Sequence, residues 1–185
     1  MPSAPTFVAS SSGTKLLRYD IFINHCGQDV KHTLASKIYD SLDATGLKVF
    51  LDKDELDLAD YFPKAIEEAI KSSSLHIAIF SEHYAQSPWC LAELFCMLQT
   101  PSKFMPIFYH VDPSDLRWAI EGKGIYKGAF SDYVEKKRYP SELQRWKQAL
   151  QQASLFTGDI IKKENQGARK NLASILNTND CCFCI

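Results

Sequence analysis

Short apolar runs alternate along this chain with longer segments of mixed character. Tyr19-Asp20-Ile21-Phe22-Ile23-Asn24 is brief and rich in aromatic and β-branched residues, so it reads as a strand. Over Asp29–Ala44 the residues Val30, Leu34, Ile38 and Leu42 recur at i+4 steps, the stripe of a helix with one buried face. Gly46 stands where such a helix stops, and Leu47-Lys48-Val49-Phe50 gives a second strand. Leu51–Phe62 holds five acids (Asp52, Asp54, Glu55, Asp57 and Asp60) and reads as a connecting loop. Pro63 then suits the first turn of a helix through Ile66 and Ile70. Leu75–Phe80 is almost continuously apolar, the pattern of a strand covered on both faces of a parallel sheet.

Ser87 and Pro88 are N-cap and N1 residues for another helix. Phe104–Tyr109 is a fourth strand, with Pro106 expected near its beginning because proline cannot donate to a ladder. His110–Gly124 reads as a glycine-containing loop, Tyr126–Lys137 and Glu142–Phe156 as helices, Gly158–Ile161 as a short fifth strand, and Ala168–Leu176 as a last helix. This alternation predicts an α/β fold with a parallel sheet and right-handed crossovers. Ligands of such sheets sit outside the carboxyl ends of the strands, so the loops after Asn24 and Phe50 are where chemistry is expected.

Composition narrows the classes of function. A net charge of −1 speaks against a partner held by bulk positive charge, such as nucleic acid or an acidic membrane. No apolar run approaches the roughly 18 residues that a membrane span requires. Met1–Gly13 is small, polar and Ser-rich, without a basic then apolar signal pattern, and is expected to be a short disordered leader of a protein that is not secreted. Of the six cysteines, Cys26, Cys90 and Cys96 are scattered and Cys181, Cys182 and Cys184 crowd the end. That distribution predicts reduced cytosolic thiols, with zinc a minor alternative because no second Cys pair or nearby histidines complete a ligand set.

Several blocks, in order and at matching spacing, carry a resemblance. They are Tyr19-Asp20-Ile21-Phe22-Ile23-Asn24, Gly27-x-Asp29, Phe50-x-Asp52, Glu55-Leu56, Ala69-Ile70 and Ser81-x-x-Tyr84-Ala85. To these add Ser87-x-Trp89-Cys90-Leu91-x-Glu93-Leu94, Pro106-Ile107-Phe108-Tyr109-x-Val111-Asp112-Pro113-Ser114-Asp115-Leu116-Arg117, then Trp146 and Ala149-Leu150. Over about Tyr19–Gly158 the chain resembles the TIR (Toll/interleukin-1 receptor) domain family in its plant form. The resemblance implies a flavodoxin-like five-stranded parallel sheet with helices on both faces. It divides the chain into a disordered leader (1–17), a TIR domain (18–161) and a C-terminal extension with a Cys-rich end (162–185). It further implies self-association with other TIR domains and, in plants, hydrolysis or cyclisation of NAD+ in immune signalling. NAD+ is then a substrate, and no cofactor is expected.

The resemblance places the catalytic carboxylate at Glu93. Cleaving NAD+ breaks the bond from ribose to a cationic nicotinamide that departs neutral, so a general acid is dispensable and charge develops on the ribose. A carboxylate in a water-poor cleft stabilises that charge. Glu93 is the only charged residue between Trp89 and Gln99, and lies on the face of Trp89 and Cys90. From pattern alone, a glutamate early in a helix is a solvated group favoured by the helix dipole. Trp89 and Cys90 read as packing residues beside the substrate.

In plant relatives the segment matching Asn24, His25, Cys26, Gly27, Gln28 and Asp29 borders the nucleotide, with a Ser, an aromatic, an Arg and a Gly. Here Cys26 replaces the arginine and removes a fork of donors at the expected phosphate side. In the loop after the second strand, Asp57, Leu58 and Ala59 stand where Arg-Arg-Gly is usual, and Ala59 reaches positive φ less easily than glycine. Asn24 and His25 remain as hydrogen-bonding groups. His76 reads as a core histidine, and His32, His83 and His110 show no spacing that forms a triad with Glu93. Ser36-Lys37 occupies the place of a Ser-His pair through which relatives self-associate, and Lys37 reads as a solvated helix residue.

Beyond Gly158 no P-loop or leucine-rich segment follows, which implies a TIR-only protein or a fragment of a longer one. The terminal Cys182-Phe183-Cys184-Ile185 has a prenylation-like layout with Cys181 as a candidate second acylation site; an unstructured end is the alternative. The expected location is cytoplasmic, extending to the nucleus, with membrane association if the end is lipidated. Two readings of function stay open: an NAD+ nucleosidase centred on Glu93, and a TIR–TIR adaptor with weak or silent catalysis.

Overall fold

The structure, a computed structural model, describes residues 19–51 and 64–162. Five parallel strands run in the order β2-β1-β3-β4-β5: β1 (Ile21–His25), β2 (Val49–Leu51), β3 (Leu75–Phe80), β4 (Lys103–Tyr109) and β5 (Asp159–Ile161). This is the flavodoxin-like order, and its direction reverses between β1 and β3. The five-stranded α/β architecture expected from the sequence is therefore the one observed.

Strand alternation divides the core into two layers. Ile21, Ile23, Ile77, Ile79, Ile107 and Ile161 face one way and pack with Val30, Leu34, Ile38 and Leu42. Those last four are the i+4 stripe, and all are buried. Phe22, Ala78, Phe80 and Phe108 face the other way, onto α3 (Lys64–Ser72), α4 (Pro88–Leu98), α6 (Lys127–Glu135) and α7 (Leu143–Ala153). Asn24 shares the parity of Phe22, so β1 directs its side chain toward α4.

The segment expected as one helix is three pieces. α1 (Gly27–Val30) passes through a π-helical turn (Lys31–Ala35) into α2 (Ser36–Asp43). Val30, at φ −134° and ψ −3°, breaks the α-helical path where the turn begins. Gly46 ends the run at φ +86°, a left-handed conformation that glycine adopts without steric cost. Lys37 is exposed, as its solvated reading required.

Two expectations are corrected. Pro106 lies in the middle of β4, paired with Ala78, not at its start. The Lys103 amide donates toward β3 and the His110 amide toward β5, so by alternation even-numbered positions of β4 face β5. The missing Pro106 donor therefore falls just before β5 begins to pair, at Ile107↔Asp159. The stretch His110–Gly124 is not only loop. It contains α5 (Pro113–Trp118), started by a capping box between Asp112 and Asp115. The Ala168–Leu176 helix and the acidic loop between β2 and α3 lie outside the described residues, apart from Leu51, which ends β2.

Candidate active site

At the reversal point, the carboxyl ends of β1 and β3 flank the first turns of α4. Ser87 caps α4 by accepting a hydrogen bond from the Cys90 amide at 3.3 Å, and Pro88 occupies the first turn. The helix is apolar almost all round and wedges between β1, α3 and α7. Glu93 is carried inward on this wedge and is only 3% exposed. The solvated reading of Glu93 therefore fails. Burying a carboxylate is costly unless it is hydrogen-bonded, and the fold supplies the partner.

That partner is Asn24. Its amide nitrogen donates to Glu93 Oε2 at 2.8 Å and reaches the Cys90 carbonyl at 3.3 Å. Its carbonyl accepts a hydrogen bond from the Tyr84 hydroxyl, which fixes which end of the amide faces the carboxylate. Tyr84 and Asn24 are both 0% exposed. Burial pushes the Tyr84 phenol well above its usual range, and the neighbouring Cys90 and Glu93 push it further, so the hydroxyl stays a donor. Tyr84, Asn24 and Glu93 thus form a polar chain inside an apolar cluster.

Around the carboxylate, a small cleft is lined by His25, Gly27, Lys31, Ser87, Trp89, Cys90 and Glu93. Its cavity volume is about 10 Å³, room for about one water. Cys26 and Cys90 are buried with their thiols in hydrogen-bond contact, and Cys90 Sγ also donates to the His25 carbonyl at 3.3 Å. The contact with Cys26, then burial and the charge of Glu93, push the Cys90 thiol well up. The Cys90 thiol is therefore a packing group and not a nucleophile.

Of the residues the sequence nominated, His25, Gly27, Trp89 and Cys90 share the cleft with Glu93. Asn24 lies behind Glu93 and Cys26 behind Cys90. Gln28 is exposed on α1. Asp29 turns to the loop after β3, where it accepts from the His83 amide at 2.8 Å and meets His83 Nδ1 at 2.7 Å. Ala59, with Asp57 and Leu58, lies outside the described residues, as do Cys181 and Cys182. His76 is a fully buried core residue, its Nε2 at 2.9 Å from the Ile70 carbonyl.

Three contributors were not assigned to the site from sequence. Tyr84 and Ser87 come from the loop after β3, the other side of the reversal point, and the rule that finds the β1 loop also points there. Lys31 was hidden in what read as the surface of a helix. The π-helical turn begins at Lys31, and it lines the cleft.

Comparison with known proteins agrees with this fold. The TIR domain family model matches residues 18–175. The chain is 34% identical over 166 residues to TMV resistance protein N of Nicotiana glutinosa, covering 87% of this chain and 14% of that protein. It is 36% identical over 143 residues to the probable 2' cyclic ADP-D-ribose synthase BdTIR of Brachypodium distachyon, covering 76% of this chain and 58% of that protein. Among solved structures it resembles the TIR domains of the activated Roq1 resistosome recognizing the pathogen effector XopQ. The TM-score is 0.73 at 28% identity, over 86% of this chain and 98% of that one. The chain thus spans only a small part of resistance protein N and over half of the cyclic ADP-D-ribose synthase.

Proposed function

The chain belongs to the TIR domain family, and from that premise we propose that it cleaves NAD+ to nicotinamide and ADP-ribose or a cyclic variant, acting in plant immune signalling once self-associated. The observation that carries this reading is the buried Glu93 carboxylate, held by Asn24 at the sheet's reversal point. The bond between ribose C1′ and the nicotinamide nitrogen breaks with its electron pair leaving on nitrogen, which neutralises the ring. Glu93 stabilises the positive charge left on the ribose, an interaction stronger in the transition state than in the substrate. Water, or a hydroxyl of the same nucleotide, then attacks C1′ and releases a proton.

Lys31 supplies positive charge on the side where Cys26 stands in place of the relatives' arginine. It is a point charge on a flexible stem, so it attracts a pyrophosphate without the fork geometry of a guanidinium. The relatives' names support the reading: one is a probable cyclic ADP-D-ribose synthase, and the structural neighbour is part of an assembled resistosome.

The test is nicotinamide release from NAD+ by concentrated purified protein beside Glu93→Ala. Release by the parent protein and its loss in the variant are expected. Equal release from both would sink the catalytic role. A specific observation favours the alternative of a TIR–TIR adaptor, namely a cleft of about 10 Å³, which as it stands is too small for a dinucleotide. On the enzymatic reading, assembly widens that cleft, so release should rise more than in proportion to protein concentration. No release at any concentration would leave the adaptor.

A further inference from the structure

Away from Glu93, a concavity of about 350 Å³ opens between the short 3₁₀ turn Tyr84–Gln86 and the exposed side of α6. Gln86, Gly128, Asp132, Tyr133, Lys136 and Arg138 line it. The volume falls in the range of about 300–1,000 Å³ typical of small-molecule sites. Its wall is rigid: Tyr133 is buried, and its hydroxyl donates to the carbonyls of Ala85 at 3.1 Å and Gln86 at 2.8 Å. Past the end of α6 the chain doubles back through left-handed conformations at Lys137 (φ 50°) and Tyr139 (φ 54°). Conformations of this kind are costly for residues other than glycine and persist where packing enforces them. Here the Tyr139 ring packs on Tyr133 and Trp146, at 5.9 and 5.2 Å between centroids. The result brings Lys136 and Arg138 to one opening.

The charges there do not cancel. Lys136 pairs with Asp132 at 2.9 Å, and among the described residues no carboxylate lies within ion-pair reach of Arg138. One net positive charge therefore faces the concavity, on the side chain whose planar fork best fits phosphate oxygens. Asp132 opposes an anion, but Lys136 offsets it. Gly128 adds room, since a Cβ built there meets nothing within 4 Å.

We propose that this concavity binds a small organic phosphate, of the size of a mononucleotide or a sugar phosphate, with Arg138 and Lys136 on the phosphate. The site is separate from the Glu93 cleft but shares a wall with it. Gln86 lines one, and the adjacent Ser87 lines the other while capping α4.

Isothermal titration of the purified chain with adenosine monophosphate and with glucose 6-phosphate tests this. Saturable binding by at least one is expected, at least tenfold weaker for the same molecule without its phosphate. Arg138→Gln should weaken it tenfold or more. Gly128→Leu should abolish it by filling the concavity, with circular dichroism to confirm the fold. Arg138 is exposed, so its variant does not put folding at risk. Lys31→Met should leave binding unchanged. No saturable binding by either probe would overturn the proposal, as would binding indifferent to Arg138→Gln. Loss through Lys31→Met with Arg138→Gln silent would place the ligand in the Glu93 cleft and overturn it equally.

Discussion

A single amide decides how Glu93 is held. Asn24 donates to the carboxylate and is itself oriented by Tyr84, so removing either partner disturbs the same chain from different ends. Asn24→Ala deletes a hydrogen bond to a buried charged group, worth about 1.5–3 kcal/mol. It should lower the unfolding free energy by about 2 kcal/mol and reduce nicotinamide release at least tenfold, since the carboxylate is no longer aimed. Tyr84→Phe keeps the ring and deletes only the hydroxyl, for a smaller loss of about 1 kcal/mol. If Asn24→Ala releases nicotinamide as fast as the parent, the amide is structural only. Lys31→Met should separate binding from chemistry, raising KM for NAD+ severalfold with kcat little changed, because a distant phosphate contact is made equally in the ground and transition states. The sequence pointed to Glu93 through the block around Trp89 and Cys90, and to Asn24 through its place at a strand end. It could not show that the two touch, because they lie 69 positions apart and only the parity of β1 against the face of α4 joins them.

At the scale of elements, the fit of β5 against β4 rests on a residue with no side chain. A Cβ at Gly158 would lie 2.1 Å from the Pro106 carbonyl oxygen and 2.7 Å from its ring. Neither backbone oxygen nor proline ring can move aside cheaply, so Gly158→Ala should cost about 2–3 kcal/mol, the upper part of the overpacking range. Gly46→Ala makes a useful contrast. Nothing lies within 4 Å of its Cβ, and only the positive φ is strained, for about 1 kcal/mol. Urea midpoints of the two variants give the comparison, and an equal small shift would show that β5 docks more loosely than this geometry has it. Element types were largely legible in the sequence. Leu75–Phe80 is β3 to the residue, and the Ser87-Pro88 start of α4 is where the capping chemistry put it. The failures have physical reasons. α5 is a single capped segment of six residues, too short to show a period, though Asp112-Pro113-x-Asp115 spelled its cap. The π-helical turn keeps the same buried stripe as a plain helix, so hydrophobic spacing could not reveal it.

For the whole molecule, two titratable groups, the half-buried Asp29 and the buried His76, predict how the fold responds to acid. Asp29 joins the start of α1 to the loop after β3, across the crevice that holds the candidate site. Burial raises its pKa, but the nearby Ser81 hydroxyl and the hydrogen bonds from the His83 amide and ring outweigh this and hold the carboxyl below its usual value. A depressed carboxyl contributes stability that is fully present above about pH 3.9 and is lost as pH falls through the folded value. His76 is also depressed, chiefly by burial, although the carbonyls of Ile70 and Met97 push the other way. Below about pH 6.5 the unfolded chain takes up a proton that folded His76 refuses, so stability falls there too. In both windows the unfolded state binds more protons, and the sign is the same: stability rises with pH. Unfolding free energies measured in urea between pH 3 and 8 should therefore decline in two stages, first below about pH 6.5 and again below about pH 4. His76→Gln should flatten the first stage and Asp29→Asn the second, each leaving the other in place because the groups sit on different elements. A parent curve flat between pH 7 and 5, or unchanged by His76→Gln, would mean that the core admits the protonated imidazole. If the second stage persists in Asp29→Asn, acid instead acts through other carboxylates, of which Asp112, lowered mainly by the Ser114 amide and hydroxyl, is the next to examine.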